Sequence, residues 1–298
     1  MAEPTLNFIH CPDAGQGHRM AYWQWGANDA EHTVVCVHGL TRQGRDFDVL
    51  AQALIAASAS PLRIVCPDVA GRGRSDWLAD AQAYQVPTYA ADMLALLAHL
   101  KPKVLDWVGT SMGGLIGIAV CAHAASVGIQ VRKLVLNDVG PVIEWQALQR
   151  IGQYVGRAVR FATEEQAAEA MWAISESFGP HTPQQWLALT RPLLKPAVDG
   201  EAGFDLRYDP AIATPFRSVT QESAAQGEAL LWQLYDAITA ETLLLRGAKS
   251  DLLSTQTAAQ MGQRGPRARL VEFDGVGHAP TMIAPDQLAV VVPFLLGA

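Results

Sequence analysis

The segment at residues 103–122, KVLDWVGTSMGGLIGIAVCA, constrains the fold more than any other part of the chain. Its apolar run at 104–108 is rich in β-branched and aromatic residues and predicts a buried strand. The turn Gly-Thr-Ser-Met-Gly follows at 109–113, and then an apolar segment of helical length. Gly-x-Ser-x-Gly between a strand and a helix is typical of a nucleophile elbow, a sharp turn that lifts Ser111 above the sheet. The alternative is a glycine-rich turn of any doubly wound sheet, and the flanking segments favour the elbow.

Strand and helix patterns alternate through most of the chain. Short apolar runs predict strands at residues 5–10, 19–25, 33–37, 62–66, 104–108, 132–136, 242–245 and 269–273, the first two as an antiparallel pair. Periodic apolar spacing predicts helices at residues 47–58, 89–100, 255–261 and 286–296. Because parallel strands need crossover helices, this alternation predicts an α/β fold with a mostly parallel eight-stranded sheet flanked by helices.

The segment from residue 142 to residue 236 breaks this alternation. It carries helical patterns at residues 145–161, 164–178, 184–194 and 228–238, and no convincing strand. We therefore expect a core of residues 1–141 and 237–298, with an all-helical lid (cap) of residues 142–236 inserted above the strand ends. Large lid side chains are candidates for lining an apolar substrate pocket, or for simple core packing: Trp145, Trp172 and Phe216, together with Met171, Trp186 and Trp232.

A serine hydroxyl is a weak nucleophile that needs a histidine base, and the base needs a carboxylate to orient it. His278 stands in the glycine-rich segment DGVGHAP after the last predicted strand, where a side chain can reach the crevice at the strand ends. Asp138 and Asp251 both follow predicted strands and lie between Ser111 and His278 in sequence. Asp251 lies in the longer loop, which favours it as the acid. For Asp138 we expect turn or helix capping.

The oxyanion of a tetrahedral intermediate needs two backbone N–H donors. Met112 directly follows the serine, and Leu40 stands in the loop His-Gly-Leu-Thr after the third predicted strand, so these two are the predicted donors. We expect His38 to shape that loop rather than to react. Arg42 could meet a substrate carboxylate or pair with Asp46, and the pairing is favoured. The segment DVAGRGRSD is predicted to fix the loop beside the elbow through Asp68, Gly71, Arg72 and Gly73.

Composition narrows the class of protein and of partner. Half of the 298 residues are hydrophobic and 17% are charged, which predicts a sizeable core rather than disorder. A net charge of −7 gives no electrostatic reason to expect nucleic acid or an anionic membrane as a partner. The segment MAEPTLNFIHCPD lacks the basic start and apolar run typical of a secretory signal, and no apolar stretch reaches the ~18 residues of a transmembrane helix. The scattered cysteines Cys11, Cys36, Cys66 and Cys121 are typical of free thiols, so we expect a cytoplasmic protein.

Four motifs together resemble the α/β-hydrolase fold superfamily. They are His-Gly-x-x at 38–41, Asp-x-x-Gly-x-Gly-x-Ser at 68–75, Gly-x-Ser-Met-Gly-Gly at 109–114 and Gly-x-Gly-His at 275–278. Within the superfamily, DWVGTSMGGLIG and GHAP are similar to single-domain bacterial serine carboxylesterases. The resemblance implies a Ser-His-Asp triad, an acyl-enzyme intermediate and a small carboxylic ester as substrate. It implies no metal and no organic cofactor.

Two other functions stay open for this fold. One is the C–C bond hydrolysis of meta-cleavage products, and the other is a non-catalytic module that binds small molecules. Epoxide hydrolases and haloalkane dehalogenases of the same fold use an aspartate nucleophile, where this chain has Ser111. Meta-cleavage-product hydrolases usually carry a tryptophan after the catalytic histidine, where this chain has Ala279. The sequence leaves the oligomeric state open between a monomer and a homodimer.

Overall fold

The computed structural model describes residues 3–13, 15–124, 128–197 and 201–297. These residues form eleven strands: β1 (Thr5–Cys11), β2 (His18–Gly26), β3 (His32–Val37), β4 (Leu62–Pro67), β5 (Val104–Thr110), β6 (Val131–Asn137), β7 (Arg160–Phe161), β8 (Leu194–Pro196), β9 (Phe204–Leu206), β10 (Glu241–Gly247) and β11 (Arg269–Phe273). Eight of them form one sheet in the order β1-β2-β4-β3-β5-β6-β10-β11. The β1–β2 and β2–β4 pairs are antiparallel, and the other pairs are parallel. The predicted fold is confirmed.

Ten α-helices accompany these strands in the described part of the chain. They are α1 (Asp48–Ala57), α2 (Val86–Leu100), α3 (Met112–Ala124), α4 (Trp145–Tyr154), α5 (Glu164–Ser175), α6 (Pro183–Thr190), α7 (Thr214–Ser218), α8 (Gln221–Asp236), α9 (Thr255–Met261) and α10 (Pro285–Leu296). Within the described ranges, no helix has both the length and the apolar character that crossing a bilayer demands.

The central strands are buried on both faces because helices cover each side of the sheet. Along β3, Val35 and Val37 pack into one hydrophobic cluster with side chains of α2 and α3. Val34 and Cys36 point the other way, into a second cluster with side chains of α1 and α10. Successive strand residues face opposite sides, so an uninterrupted apolar run is what a doubly covered parallel strand requires.

The segment between β6 and β10 is not all-helical, and that prediction was wrong. It holds α4 to α8 and a small antiparallel sheet in the order β7-β9-β8. These strands have only two or three residues each, too few for an alternating pattern to be recognised in sequence. The helix predicted at 145–161 ends at Tyr154, and Gly156 follows with a φ of +76°, a left-handed conformation that glycine adopts readily.

Candidate active site

Ser111 lies in the turn between β5 and α3, as the elbow pattern predicts. Its φ of +52° is a left-handed conformation that non-glycine residues rarely adopt. The two motif glycines allow the tight approach of neighbouring backbone. A Cβ on Gly109 would lie 2.3 Å from the Gly113 carbonyl oxygen, and one on Gly113 would lie 2.0 Å from the Val37 carbonyl oxygen. The glycines are therefore required by the turn, which presents the Ser111 hydroxyl at the carboxyl ends of the strands.

His278 follows β11 and reaches across the strand ends to Ser111. Its Nε2 lies 3.0 Å from the Ser111 Oγ, within hydrogen-bond distance. Its Nδ1 lies 2.7 Å from Oδ2 of Asp138, which directly follows β6. The three side chains thus form one hydrogen-bonded chain from hydroxyl to imidazole to carboxylate.

The carboxylate at His278 belongs to Asp138, and the choice of Asp251 was wrong. The side chain of Asp251 is half exposed and receives hydrogen bonds from Arg150 Nε at 2.8 Å and Nη2 at 2.9 Å. The greater length of the loop that carries Asp251 was a misleading reason to choose this residue. The sheet order β6-β10-β11 leaves only β10 between Asp138 and the His278 loop, so Asp138 needs no long loop to reach it.

The ends of two strands hold the Asp138 carboxylate in place. Asp138 has a φ of +55° and is fully buried. Its Oδ1 accepts from the Gly247 N–H at 2.9 Å, and its Oδ2 accepts from the Ser250 hydroxyl at 2.6 Å. Gly247 ends β10, and a Cβ there would lie 2.3 Å from the Gly277 carbonyl oxygen. A glycine at this position lets the His278 loop cross β10 toward Asp138.

Asn137 is a buried residue that sequence reasoning missed. Its Nδ2 donates to the Thr110 Oγ1 at 3.0 Å and to the Pro280 carbonyl oxygen at 2.7 Å. It therefore joins the elbow that carries Ser111 to the loop that carries His278. A polar residue ending the apolar run of β6 was the signal available in the sequence.

The predicted oxyanion donors lie on either side of a buried arginine. The Arg72 guanidinium is 1% exposed, and its Nε donates to the Leu40 carbonyl oxygen at 2.8 Å. Its Nη2 lies 3.6 Å from the Met112 Sδ. Arg72 thus fixes the peptide of the Leu40 loop beside the start of α3. The role of the Leu40 and Met112 N–H groups as oxyanion donors stays a prediction.

The loop after β3 is held as the sequence predicted. His38 is fully buried, and its Nε2 accepts from the Val69 N–H at 2.9 Å. Burial lowers the pKa of His38 to about 3, so the imidazole is neutral at physiological pH and shapes the loop. Arg42 pairs with Asp46 at 2.6 and 2.8 Å, which confirms the favoured alternative. Asp68 accepts from the backbone N–H groups of residues 44 and 74, while burial raises its pKa to about 6.

A cavity of about 290 Å³ opens above Ser111 and His278. The segment between β6 and β10 contributes most of its apolar wall: Ile151, Tyr154, Val159, Phe161, Met171, Ile174, Phe178, Leu189, Leu193, Leu206 and Tyr208. Trp145, Trp172 and Phe216, predicted to bind substrate, are not among the residues that line it. The Trp172 ring instead packs edge-on against the Trp186 ring, with 5.1 Å between the ring centres. Phe216 packs against the main core. Sequence patterns mark these side chains as apolar but not which neighbour covers them.

A second group of chemically similar side chains lies outside this cavity. Ligand atoms of Cys11, His18 and Asp92 lie within 4.8 Å of one another, and all three residues are buried between the β1–β2 hairpin and α2. This is the one set in the described ranges with three donor atoms close enough for a metal ion. Its side chains already contact one another, since His18 Nε2 lies 3.0 Å from the Asp92 Oδ2.

Comparison with known proteins places this geometry in a family. The profile of the Alpha/beta hydrolase family matches residues 34–291. The chain belongs to the alpha/beta hydrolase family. The chain is 50% identical to the 3-hydroxybutyrate-oligomer hydrolase of Cupriavidus necator, and the match covers 100% of this chain and 99% of that protein. The family and this similarity over the full chain show that the protein is an enzyme.

More distant relatives agree on the fold and differ in the named reaction. The crystal structure of an alpha/beta hydrolase from Novosphingobium aromaticivorans is 34% identical, covers 99% of both chains and superimposes with a TM-score of 0.83. The 2-hydroxymuconate semialdehyde hydrolase of a Pseudomonas species is 26% identical over 74% of this chain and 71% of that protein. The fold is thus shared across the family while the substrate varies.

Proposed function

We propose that the protein hydrolyses carboxylic esters through an acyl-enzyme intermediate on Ser111, with His278 as the base and Asp138 as the acid of the triad. The observation that carries this proposal is the hydrogen-bonded chain at 3.0 Å and 2.7 Å from Ser111 through His278 to Asp138. A hydroxyl needs both partners, one to accept its proton and one to fix the imidazole tautomer.

The reaction follows from the positions of these atoms. Ser111 Oγ attacks the acyl carbon while its proton moves to His278 Nε2, and the carbonyl oxygen becomes an oxyanion. The C–O bond to the alcohol then breaks, and the leaving oxygen takes the proton from His278. A water molecule, deprotonated by the same imidazole, then attacks the acyl carbon. The bond from this carbon to Ser111 Oγ breaks, Oγ takes the proton back from His278, and the carboxylic acid leaves. The Asp138 carboxylate stabilises the imidazolium that forms in each half of the reaction.

The oxyanion is assigned to the backbone N–H groups of Leu40 and Met112. Met112 begins α3, so its N–H also lies at the positive end of a helix dipole. Arg72 binds the Leu40 carbonyl oxygen, which belongs to the peptide after the Leu40 N–H, and so holds the loop next to this donor. Two such donors are effective because they are already in place when the charge develops.

We further propose that residues 142–236 act as a lid that forms the apolar wall of the cavity. The Ser177 hydroxyl donates to the His278 carbonyl oxygen at 3.1 Å, which links this segment to the catalytic loop. An apolar wall suits the hydrocarbon part of an ester. The named activity of the Cupriavidus necator relative favours oligoesters of 3-hydroxybutyrate as the substrate.

A substrate panel on the purified protein tests the function. We expect hydrolysis of p-nitrophenyl butyrate and of 3-hydroxybutyrate dimers and trimers, with none of a meta-cleavage dienoate. A fluorophosphonate should label Ser111 and no other residue. Turnover of the dienoate without the esters would favour C–C bond hydrolysis, and inactivity on every substrate would contradict the proposal.

A further inference from the structure

Three arginines line the active-site cavity, and their charges are balanced to different degrees. Arg42 is paired with Asp46, and Arg150 is paired with Asp251. Arg157 has no carboxylate partner among the residues that the structure describes. The cavity therefore carries one positive charge that the described protein does not neutralise. An arginine without a carboxylate partner at the cavity can attract an anionic ligand to it.

The backbone that carries Arg157 is fixed, although its side chain is exposed. Gly156 precedes it with a φ of +76°, and a Cβ at Gly156 would lie 2.5 Å from the Ala213 Cβ. The Arg157 N–H donates to the Tyr154 carbonyl oxygen at 3.3 Å, just after α4. The guanidinium thus projects from a defined point on the cavity wall, and its five donors suit bidentate binding of a carboxylate.

Arg157 also lines a second, more open groove of about 450 Å³ next to the cavity. Val159, Leu206 and Tyr208 line both spaces, so the groove continues the cavity wall. Lys195 lies in the groove with its Nζ 4.9 Å from the centre of the Trp77 ring. Arg160 and Asp205 also line the groove and pair with each other at 2.9 Å. Beyond the apolar cavity wall, the groove therefore adds Lys195 to the positive charge of Arg157.

We infer that Arg157 binds the free carboxylate of an acidic oligoester, whose hydrocarbon units lie in the apolar cavity beside Ser111. This inference rests on the proposed ester hydrolysis and adds the anionic class of the substrate. In an oligomer of a hydroxy acid, one end carries a carboxylate and the ester bonds follow at regular spacing. Binding that carboxylate places a particular ester bond at Ser111 and selects acids over neutral esters.

The test compares two trimers of 3-hydroxybutyrate, one with a free terminal carboxylate and one with a terminal carboxamide. The carboxamide has nearly the same shape and no charge. In Arg157→Gln we expect KM for the acid to rise by about 10- to 100-fold, the range of a charge-assisted hydrogen bond, with little change for the carboxamide. Arg157→Lys should restore part of the loss for the acid, because it keeps the charge without the bidentate geometry.

Arg217→Gln is the matched control. Arg217 is an exposed arginine of α7 that does not line the cavity, and its replacement removes the same charge from the same inserted segment. It should leave KM for both trimers unchanged. An equal loss on acid and carboxamide in Arg157→Gln would overturn the inference, as would an unchanged KM for the acid.

The wild-type enzyme separates failure of this inference from failure of the proposed function. Hydrolysis of p-nitrophenyl butyrate with equal KM values for the two trimers, or with no turnover of either, would overturn the carboxylate site and leave ester hydrolysis standing. Loss of all ester hydrolysis would contradict the function itself.

Discussion

The molecule contains two sets of three side chains, each with a hydroxyl or thiol, a histidine and an aspartate. The hydrogen bonds within the two sets differ. In the first set, His278 bridges the Ser111 hydroxyl and the Asp138 carboxylate. In the second set, the His18 imidazole is hydrogen-bonded to the Asp92 carboxylate. Cys11 lies opposite His18 in the antiparallel register of β1 and β2. Burial raises the pKa of the Cys11 thiol, and the charge of Asp92 raises it further. The thiol therefore stays protonated.

The comparison shows that the same kinds of side chain can be placed in two different surroundings. Ser111 stands on a strained turn at the start of a helix and opens to a cavity, whereas Cys11 is buried in a strand and lines neither of the two cavities described above. The two sets therefore differ in whether the imidazole contacts the hydroxyl or thiol and in whether that group opens to a cavity, both of which nucleophilic catalysis needs. We interpret the Cys11–His18–Asp92 set as a structural link between the hairpin and α2.

Replacing the nucleophile should have the largest effect. Ser111→Ala should lower kcat for p-nitrophenyl butyrate by roughly 10⁵- to 10⁶-fold, because the remaining groups only bind the ester and stabilise charge. Cys11→Ser is the matched change in the other set and should leave kcat near the wild-type value. Comparable losses in both variants would remove the distinction between the two sets. Circular dichroism checks that each variant is folded.

The acid of the triad gives the next largest effect. Asp138→Asn should lower kcat by roughly 10⁴-fold near neutral pH, because an amide no longer fixes the tautomer or stabilises the imidazolium. Asp251→Asn is the control and should change kcat by less than about twofold, since its exposed pair with Arg150 contributes little. An inactive Asp251→Asn variant beside an active Asp138→Asn variant would reverse the assignment.

Breaking the structural set should change stability rather than catalysis. Asp92→Ala leaves the buried His18 without its carboxylate and should lower the free energy of unfolding by about 3–5 kcal/mol, measured by urea denaturation. Asp236→Ala removes an exposed pair with Arg264 and should lower it by less than about 1 kcal/mol. The kcat per folded molecule should stay unchanged in both. A large fall in kcat for folded Asp92→Ala would give this set a functional role.

The smallest expected effect is a pH dependence of stability from His18. Its hydrogen bond to Asp92 raises the pKa of His18 above the ordinary 6.5, with Asp13 nearby adding to the shift and burial opposing it. The folded state therefore holds this proton more tightly than the unfolded chain. The resulting stabilisation is complete below pH 6.5 and is lost as pH rises through the raised pKa.

His18→Gln removes this contribution and tests it. The loss of unfolding free energy relative to the wild type should be largest below pH 6.5 and should shrink at alkaline pH. Urea denaturation of both proteins across that range measures it. A difference that is independent of pH would mean that His18 acts only through packing.

Local patterns in the sequence were enough for the sheet and for two members of the hydrogen-bonded Ser111–His278–Asp138 chain. All eight strands of the main sheet were predicted. The central ones are apolar runs buried on both faces, whereas the edge strands β1 and β11 are largely exposed. Ser111 and His278 each stand in a short motif directly after a strand, and the Ser111 turn is fixed by the glycines at 109 and 113. The chemistry of these two residues depends on neighbours within a few positions, so the sequence displays it.

The third member of this hydrogen-bonded chain and the wall of the cavity were decided only by tertiary structure. Asp138 reaches His278 because β10 alone separates their strands and because Gly247 leaves room for the loop to cross, neither of which is visible in the spacing of one chain. The same holds for β7 to β9 and for Trp172, whose neighbours come from distant segments. Sequence order records which groups are available, and the packing of distant segments determines which of them meet.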